Sequence, residues 1–377
     1  MRSNILITGA AGYIGGSIVA DFLAKNISIN VDQLIAVVRS EDQAKSLSNL
    51  GVHVLQLDLT DEDAVVKSVL LHNINIVIHT ASSINPSPAL HLITALSKQG
   101  EVTGEKTYFI HTSGLGAFFE NTGWPAGPFR DTDAVFDTEK ELADSSPLRK
   151  VSIWAAYMEN ILKNVDSHTR KTDVAVIEHA ETQGVDCFVV VPSLGSGEWN
   201  KLSVVLPVHV QASISGGAVY KFSENTKVSS VHISDLTALY GRIIENILQG
   251  EPLPTGREGY YFALAHYLHI GEVLDHLAIQ LKARDFITDS KTRTYLNDEA
   301  AAEYLGIPAP FVRPLWNSGD NIIAEIPHKI GWRPMWNKER FMQNIDDEIQ
   351  AVVEHGKAKS SLIDSLFEFA GGEQDQS

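Results

Sequence analysis

The sequence predicts an α/β protein, a doubly wound parallel sheet with a smaller C-terminal α/β lobe. Three observations carry that prediction. Short β-branched apolar runs alternate with amphipathic stretches through the N-terminal half, the pattern of βαβ units whose strands are buried on both faces. A glycine triplet stands between the first apolar run and the first amphipathic stretch. From about residue 193 the composition turns to helices and segments interrupted by Ser, Gly and Pro.

The expected strands are Asn4–Thr8, Leu34–Val38, Val52–Leu57, Ile74–Thr80, Tyr108–Thr112 and Cys187–Val191. Between them Ile14–Lys25, Asp61–Leu71 and Ala89–Gln99 carry apolar residues at three- and four-residue spacings, as crossover helices do. Right-handed crossovers then wind the sheet in both directions from its first strand. The stretch Gly114–Ser146, with its Gly and Pro residues and acidic turns, predicts loops over the carboxyl edge, where α/β proteins keep their ligands. Helices are expected again over Leu236–Leu248, Gly271–Leu281, Asp298–Leu305 and Lys338–Val353. The expected division is a nucleotide-binding domain over 1–192, an interleaved lobe over 193–370 and a frayed polar tail over 371–377.

Composition narrows the function classes. At 377 residues, with 44% hydrophobic and 20% charged, the chain can bury a sizeable core. Thirty Lys+Arg against 47 Asp+Glu leave a net charge of −17, which repels a phosphate backbone or an anionic bilayer. The longest basic cluster, His168-Thr169-Arg170-Lys171, is too short for a nucleic-acid footprint. The expected partner is therefore a small-molecule substrate, with neither nucleic acid nor membrane, and a homodimer is left open. The single Cys187 excludes an intramolecular disulfide and a Cys-based zinc site and fits a reducing compartment. Ile5-Leu6-Ile7 runs straight into Thr8-Gly9, far short of a signal-peptide core, so the expected location is cytoplasmic.

The sharpest motif is Ile5-Leu6-Ile7-Thr8-Gly9-Ala10-Ala11-Gly12-Tyr13-Ile14-Gly15-Gly16. Between strand and helix, Gly9 permits a tight turn, Gly12 lets the backbone approach a pyrophosphate, and Gly15 lets the helix pack close to the strand. This is the Rossmann arrangement, and Thr8, Gly9, Ala11, Gly12, Tyr13, Ile14 and Gly15 are its expected cofactor contacts. The second strand ends Val37-Val38-Arg39-Ser40. Arg39 can fork onto a 2′-phosphate and Ser40 can donate to it, which favours NADP(H) over NAD(H).

The GxxGxxG spacing after Thr8 resembles the extended short-chain dehydrogenase/reductase superfamily, including the NAD-dependent epimerase/dehydratase and NmrA-like groups. Asp58-Leu59 is similar to the family's adenine-contacting pair, and Ile78-His79-Thr80-Ala81-Ser82 resembles the strand-four motif lining the cofactor cleft. Phe109-Ile110-His111-Thr112-Ser113 is similar to strand five, and Val191-Pro192-Ser193 to the turn near the nicotinamide. Val231-His232-Ile233-Ser234-Asp235 and Gly331-Trp332-Arg333-Pro334 resemble two elements of the C-terminal lobe. The resemblance implies hydride chemistry assisted by a Tyr, a Lys four residues later and a Ser/Thr that holds the substrate oxygen.

No Tyr-x-x-x-Lys exists here. Tyr157 is followed four residues later by Ile161, and Lys163 lies on another helical face. Counting back from Gly184 and Pro192 places the family's Tyr and Lys near Val165 and Thr169, and the strand-five motif aligns the family's Ser/Thr with Gly114, one residue past Ser113. The candidate catalytic residues are Ser113, Tyr157 and His111, with His79 beside them. His168, Arg170, Lys171 and Asp173 are expected to open the helix as capping and solvated charges. No HExxH or GxSxG is present, no metal site is expected, and His266, His269 and His276 read as packing. These features imply an NADP(H)-dependent oxidoreductase or epimerase/isomerase with an atypical site. The alternative is a non-catalytic dinucleotide-sensing regulator of the NmrA-like kind.

Overall fold

In the computed structural model, residues 3–24, 30–144, 153–196 and 205–355 are described, and the side chains of 153–167, 196, 310, 314, 315 and 355 lie outside that description. Among the described residues, seven parallel strands form the central sheet. They are β1 (Asn4–Thr8), β2 (Leu34–Val38), β3 (His53–Gln56), β4 (Ile74–His79), β5 (Tyr108–Thr112), β6 (Asp186–Pro192) and, far along the chain, β9 (Tyr260–Ala263). Their spatial order is β9-β6-β5-β4-β1-β2-β3, so the direction of winding reverses at β1 and β4. The six sequence-expected strands are all present, with ends shifted by at most one residue.

Alternation along the strands explains why both faces are buried. Ile5 and Ile7 of β1 join one core cluster, while Leu6 joins the other. The first face is covered by α1 (Tyr13–Ala24) and α8 (Ile233–Gln249). The second is covered by α3 (Glu62–Leu71), α4 (Ser87–Thr103), α5 (Val135–Asp144) and α6 (Ile153–Gln183). Between β2 and β3 runs α2 (Glu41–Ser48), whose N-cap Ser40 accepts from Gln43 N.

Two stretches differ from the sequence expectation. Within Gly114–Ser146, expected as loops, Val135–Asp144 is a helix whose Val135, Phe136 and Glu139 are buried. Its acidic composition reads as turns, and only packing against α6 and the sheet gives it an inner face. Arg170 and Asp173 do not open a helix either. They lie mid-way along the 31-residue α6, and both are buried.

The C-terminal lobe is built on a three-stranded sheet, β7 (Leu194–Ser196), β8 (Lys227–His232) and β10 (His266–His269), in the order β10-β8-β7. The helices α7 (Val205–Gly216), α9 (Ile270–Ala283), α10 (Asp298–Leu305) and α11 (Lys338–His355) surround it. Because β9 returns to the central sheet between β8 and β10, the lobe is interleaved with the domain it covers. The two C-terminal motifs meet in space. Asp235 accepts from the Met335 and Trp336 backbone N–H groups, Trp332 Nε1 donates to Asp235 O, and His232 stacks on Trp336 at 3.5 Å between centroids. No described helix is long and apolar enough to cross a membrane.

Candidate functional site

The glycine turn is shaped by steric necessity. Gly9 has φ +65°, and a Cβ there would lie 2.7 Å from Thr80 O. A Cβ at Gly15 would lie 2.4 Å from Gly9 O, so only glycine lets α1 begin this close to β1. At Gly12 a Cβ would meet Gly9 O alone, at 3.0 Å, and otherwise open space above the N-terminus of α1. That opening is the cradle a pyrophosphate requires, with N–H groups and the helix dipole favouring anionic oxygens. Thr8 locks the turn to β4: its Oγ1 lies 2.9 Å from His79 Nδ1, and Thr80 Oγ1 donates to Thr8 O at 2.7 Å. Ser17 Oγ ties the first turn of α1 together by donating to Tyr13 O.

The other expected cofactor contacts ring the same edge. Arg39 is exposed just beyond β2, and among the described residues no carboxylate lies within ion-pair distance of it. Ser40 Oγ serves as the cap of α2. Asp58 accepts from Thr60 N and Oγ1, bonds that hold its carboxyl below the usual range. Leu59 O receives the His91 ring at 3.0 Å, and Ser82 Oγ accepts from Ile84 N and Asn85 N, with exposed Ala81 between Thr80 and Ser82. Past Pro192 at the end of β6, the buried Ser193 Oγ has no partner. A dinucleotide fits this edge: an open glycine cradle, an unpaired guanidinium at the ribose end and an orphaned hydroxyl at the other.

The chemistry-bearing side chains gather at the ends of β4 and β5. Ser113 continues β5, its N–H donating to Val190 O at 2.9 Å, and its Oγ donates to Asp173 Oδ2 at 2.5 Å. His111 Nε2 lies 3.0 Å from Asp173 Oδ1, off the line of a well-aligned hydrogen bond, so that contact is chiefly electrostatic. His79 stacks on His111 with centroids 5.7 Å apart, and burial with the neighbouring His111 pushes its pKa down to about 3. Beneath Asp173, Glu139 of α5 is fully buried and accepts from the Tyr260 hydroxyl. Desolvation, then the Asp173 charge, raise the Glu139 pKa well above the usual carboxylate value. Burial thus favours the protonated form of the Glu139 carboxyl.

Arg170 lies one turn before Asp173. It donates from Nε to Ala117 O at 2.9 Å and from Nη1 to Thr122 O at 3.0 Å, pinning the two short turns that follow Gly114. A Cβ at Gly114 would lie 3.8 Å from Thr169 Cγ2, so Thr169 of α6 packs beside the end of strand five. Tyr157 lies on α6 twelve residues before Thr169, about 18 Å along the axis, and its side chain is outside the described residues. The structure thus joins His111 and Ser113 and leaves Tyr157 on a distant part of the helix. Sequence reasoning missed Asp173 and Glu139 as partners. The signal available was an acidic residue four after Thr169, on the same face of the helix.

Residues 5–91 match the model of the NAD dependent epimerase/dehydratase family. No curated protein matches the chain by sequence. Solved structures match it over nearly its whole length. DesIV of Streptomyces venezuelae, a dTDP-glucose 4,6-dehydratase with NAD and TYD bound, is 15% identical and aligns over 93% of this chain and 97% of its own, with a TM-score of 0.61. UDP-glucose 4-epimerase of Thermotoga maritima, with UDP-glucose, is 16% identical over 93% and 99%, TM-score 0.61. The Bordetella bronchiseptica enzyme WbmH, in complex with NAD+, is 15% identical over 94% and 100%, TM-score 0.58. The fold is shared with these structures, and the match to the epimerase/dehydratase model lies on the segment carrying the glycine turn.

Proposed function

We propose that the chain is an NADP(H)-dependent oxidoreductase or epimerase/isomerase acting on a small organic substrate, possessing proton-handling groups other than a Tyr/Lys pair. The observation that carries this reading is the Ser113–Asp173 contact at 2.5 Å beside His111, at the end of β5 next to Gly114 and Thr169. Bound along the glycine turn, the dinucleotide would supply or accept a hydride at that edge. Ser113 then holds the substrate oxygen and exchanges a proton with it, while Asp173 orients the hydroxyl and accepts its hydrogen bond. Glu139, its pKa raised by burial, lies beneath this pair, and the His111 ring lies against the other carboxylate oxygen of Asp173.

Turnover of NADPH against a panel of ketones, enones and hydroxy-compounds tests the reading. Ser113→Ala and Asp173→Asn should each lower kcat at least tenfold with NADPH affinity within twofold of the parent, and Tyr157→Phe should change kcat less than threefold. Tight NADPH binding without turnover of any compound would instead favour the dinucleotide sensor, a reading to which the glycine at 114 and threonine at 169 lend support. Arg39→Asp should weaken NADPH more than NADH, because a carboxylate repels a 2′-phosphate and accepts from a 2′-hydroxyl. Equal losses by fluorescence titration would remove Arg39 as the phosphate reader.

A further inference from the structure

Ser113 has one proton to give, and it gives it to Asp173 Oδ2. A serine hydroxyl is a single donor with two acceptor lone pairs. Ser113 can therefore accept a hydrogen bond from a substrate alcohol, but a carbonyl oxygen in the same place finds no proton there. Hydride chemistry interconverts those two forms, so the edge needs a second donor whose bond strengthens as charge grows on the oxygen.

Ser83 is placed to be that donor. β4 and β5 are hydrogen-bonded neighbours with His79 opposite His111, so the turns that follow them stand side by side. A Cβ on Gly114 would lie 3.9 Å from Ser83 Oγ. Ser83 is half-buried, and among the described residues its hydroxyl has no hydrogen-bond partner. Unlike the orphaned hydroxyl of Ser193, it is not sealed from solvent. Neighbouring side chains fix its turn: Ser82 Oγ accepts from Ile84 N and Asn85 N, and Asn85 Oδ1 accepts from Ser87 N at 3.1 Å.

Glycine at 114 keeps the approach open. Its φ of −134° is extended backbone that any residue adopts, and a Cβ would meet nothing closer than Thr169 Cγ2 at 3.8 Å. Neither conformation nor backbone crowding calls for glycine there, as they do at Gly9 and Gly15. What the missing side chain leaves is room for a ligand atom between Ser83 and Ser113.

We propose that Ser83 is a catalytic residue whose hydroxyl donates to the reacting oxygen above Gly114, while Ser113 meets the same oxygen as acceptor of its proton. The two serines divide the roles: as a carbonyl the oxygen is held by Ser83, and as an alcohol it also donates to Ser113. This assignment rests on reading the edge as a reaction site.

Titration of the full-length protein with 4-(dimethylamino)benzaldehyde and with the corresponding benzyl alcohol tests it. The aldehyde is titrated with NADP+ present and the alcohol with NADPH, pairings in which no hydride can pass, and both titrations are repeated without cofactor. The aldehyde's absorption band moves to longer wavelength when its carbonyl accepts a hydrogen bond, so the bound spectrum reports the donor directly. The parent should show that shift. Ser83→Ala should abolish it and weaken the aldehyde about fivefold, the worth of one neutral hydrogen bond. Ser113→Ala should keep the shift, weaken the alcohol about fivefold and change the aldehyde less than twofold. Gly114→Val, which fills the space, should weaken both probes at least tenfold. Far-UV circular dichroism checks each variant, and Ser83→Ala carries the test should either of the others fail to fold. No bound aldehyde or no shift in the parent, a shift that survives in Ser83→Ala or vanishes in Ser113→Ala, or undiminished binding to Gly114→Val would overturn the proposal. NADPH binding is measured separately. A protein that keeps the Ser83-dependent shift but binds no dinucleotide refutes the enzymatic reading alone.

Discussion

The glycine turn and the β5–α6 edge stand at the same end of the sheet and are built on opposite principles. The turn is short-range and made mostly of backbone: Gly9, Gly12 and Gly15 fall within one segment, and the atoms they must avoid are largely main-chain carbonyls. The edge is long-range and made of side chains. Ser113 meets Asp173 across 60 positions, and Tyr260 meets Glu139 across 121. Sterics fix the first almost regardless of what surrounds it. Desolvation governs the second, because each polar group there is tolerable only while its partners are present.

The largest effect should come from the turn. Gly15→Val places a Cβ 2.4 Å from Gly9 O, and neither backbone can yield without separating α1 from β1. A loss of about 3 kcal/mol or more in urea denaturation is expected, whereas Gly12→Val should fold and lose dinucleotide binding. A fully stable Gly15→Val would mean that the turn is not constrained by packing, erasing the contrast between the regions.

At the edge, Asp173→Ala strips Ser113 of its acceptor and His111 of the carboxylate beside it, and leaves Glu139 beside an empty space. Its expected cost is about 3 kcal/mol, with Asp173→Asn costing less because it keeps the volume and one acceptor oxygen. If both variants denature with the parent, the network is not part of the core and the edge is solvated.

The same contrast has a pH signature. His79 and His209 have folded pKa values near 3 against a reference of 6.5, so the neutral ring is favoured by folding. Their stability contribution is present in full above about pH 6.5 and is lost as pH falls toward 3. Between pH 7.5 and 5 each should cost about 2 kcal/mol, read from urea midpoints. His209→Leu should remove about half of that acid sensitivity, and an unchanged slope would mean that His209 is not neutral in the folded protein.

The smallest effect is expected at Glu139. Its folded pKa is raised, so its contribution is complete below the unfolded value of 4.5 and is lost as pH rises through the folded value. Glu139→Gln mimics the protonated acid, its oxygen still accepting from Tyr260. Stability at pH 8 should stay within about 1 kcal/mol of the parent, with a flatter dependence on pH. A much larger loss would mean that Glu139 carries its charge in the folded protein.

What the sequence determined by itself was the part governed by local rules. Period-two and period-3.6 patterning located the six strands to within a residue, and the glycine spacing located the cradle, because both depend on atoms a few residues apart. Tertiary structure alone decided the rest. Asp173 and Arg170 read as solvated charge at a helix start, yet α6 extends past them and carries both into the interior. Glu139 looked like part of an acidic turn until α5 packed it against Tyr260. The same acidic residue is a surface charge or a buried acid according to which segments distant in sequence fold over it, and desolvation by those segments is what alters its chemistry.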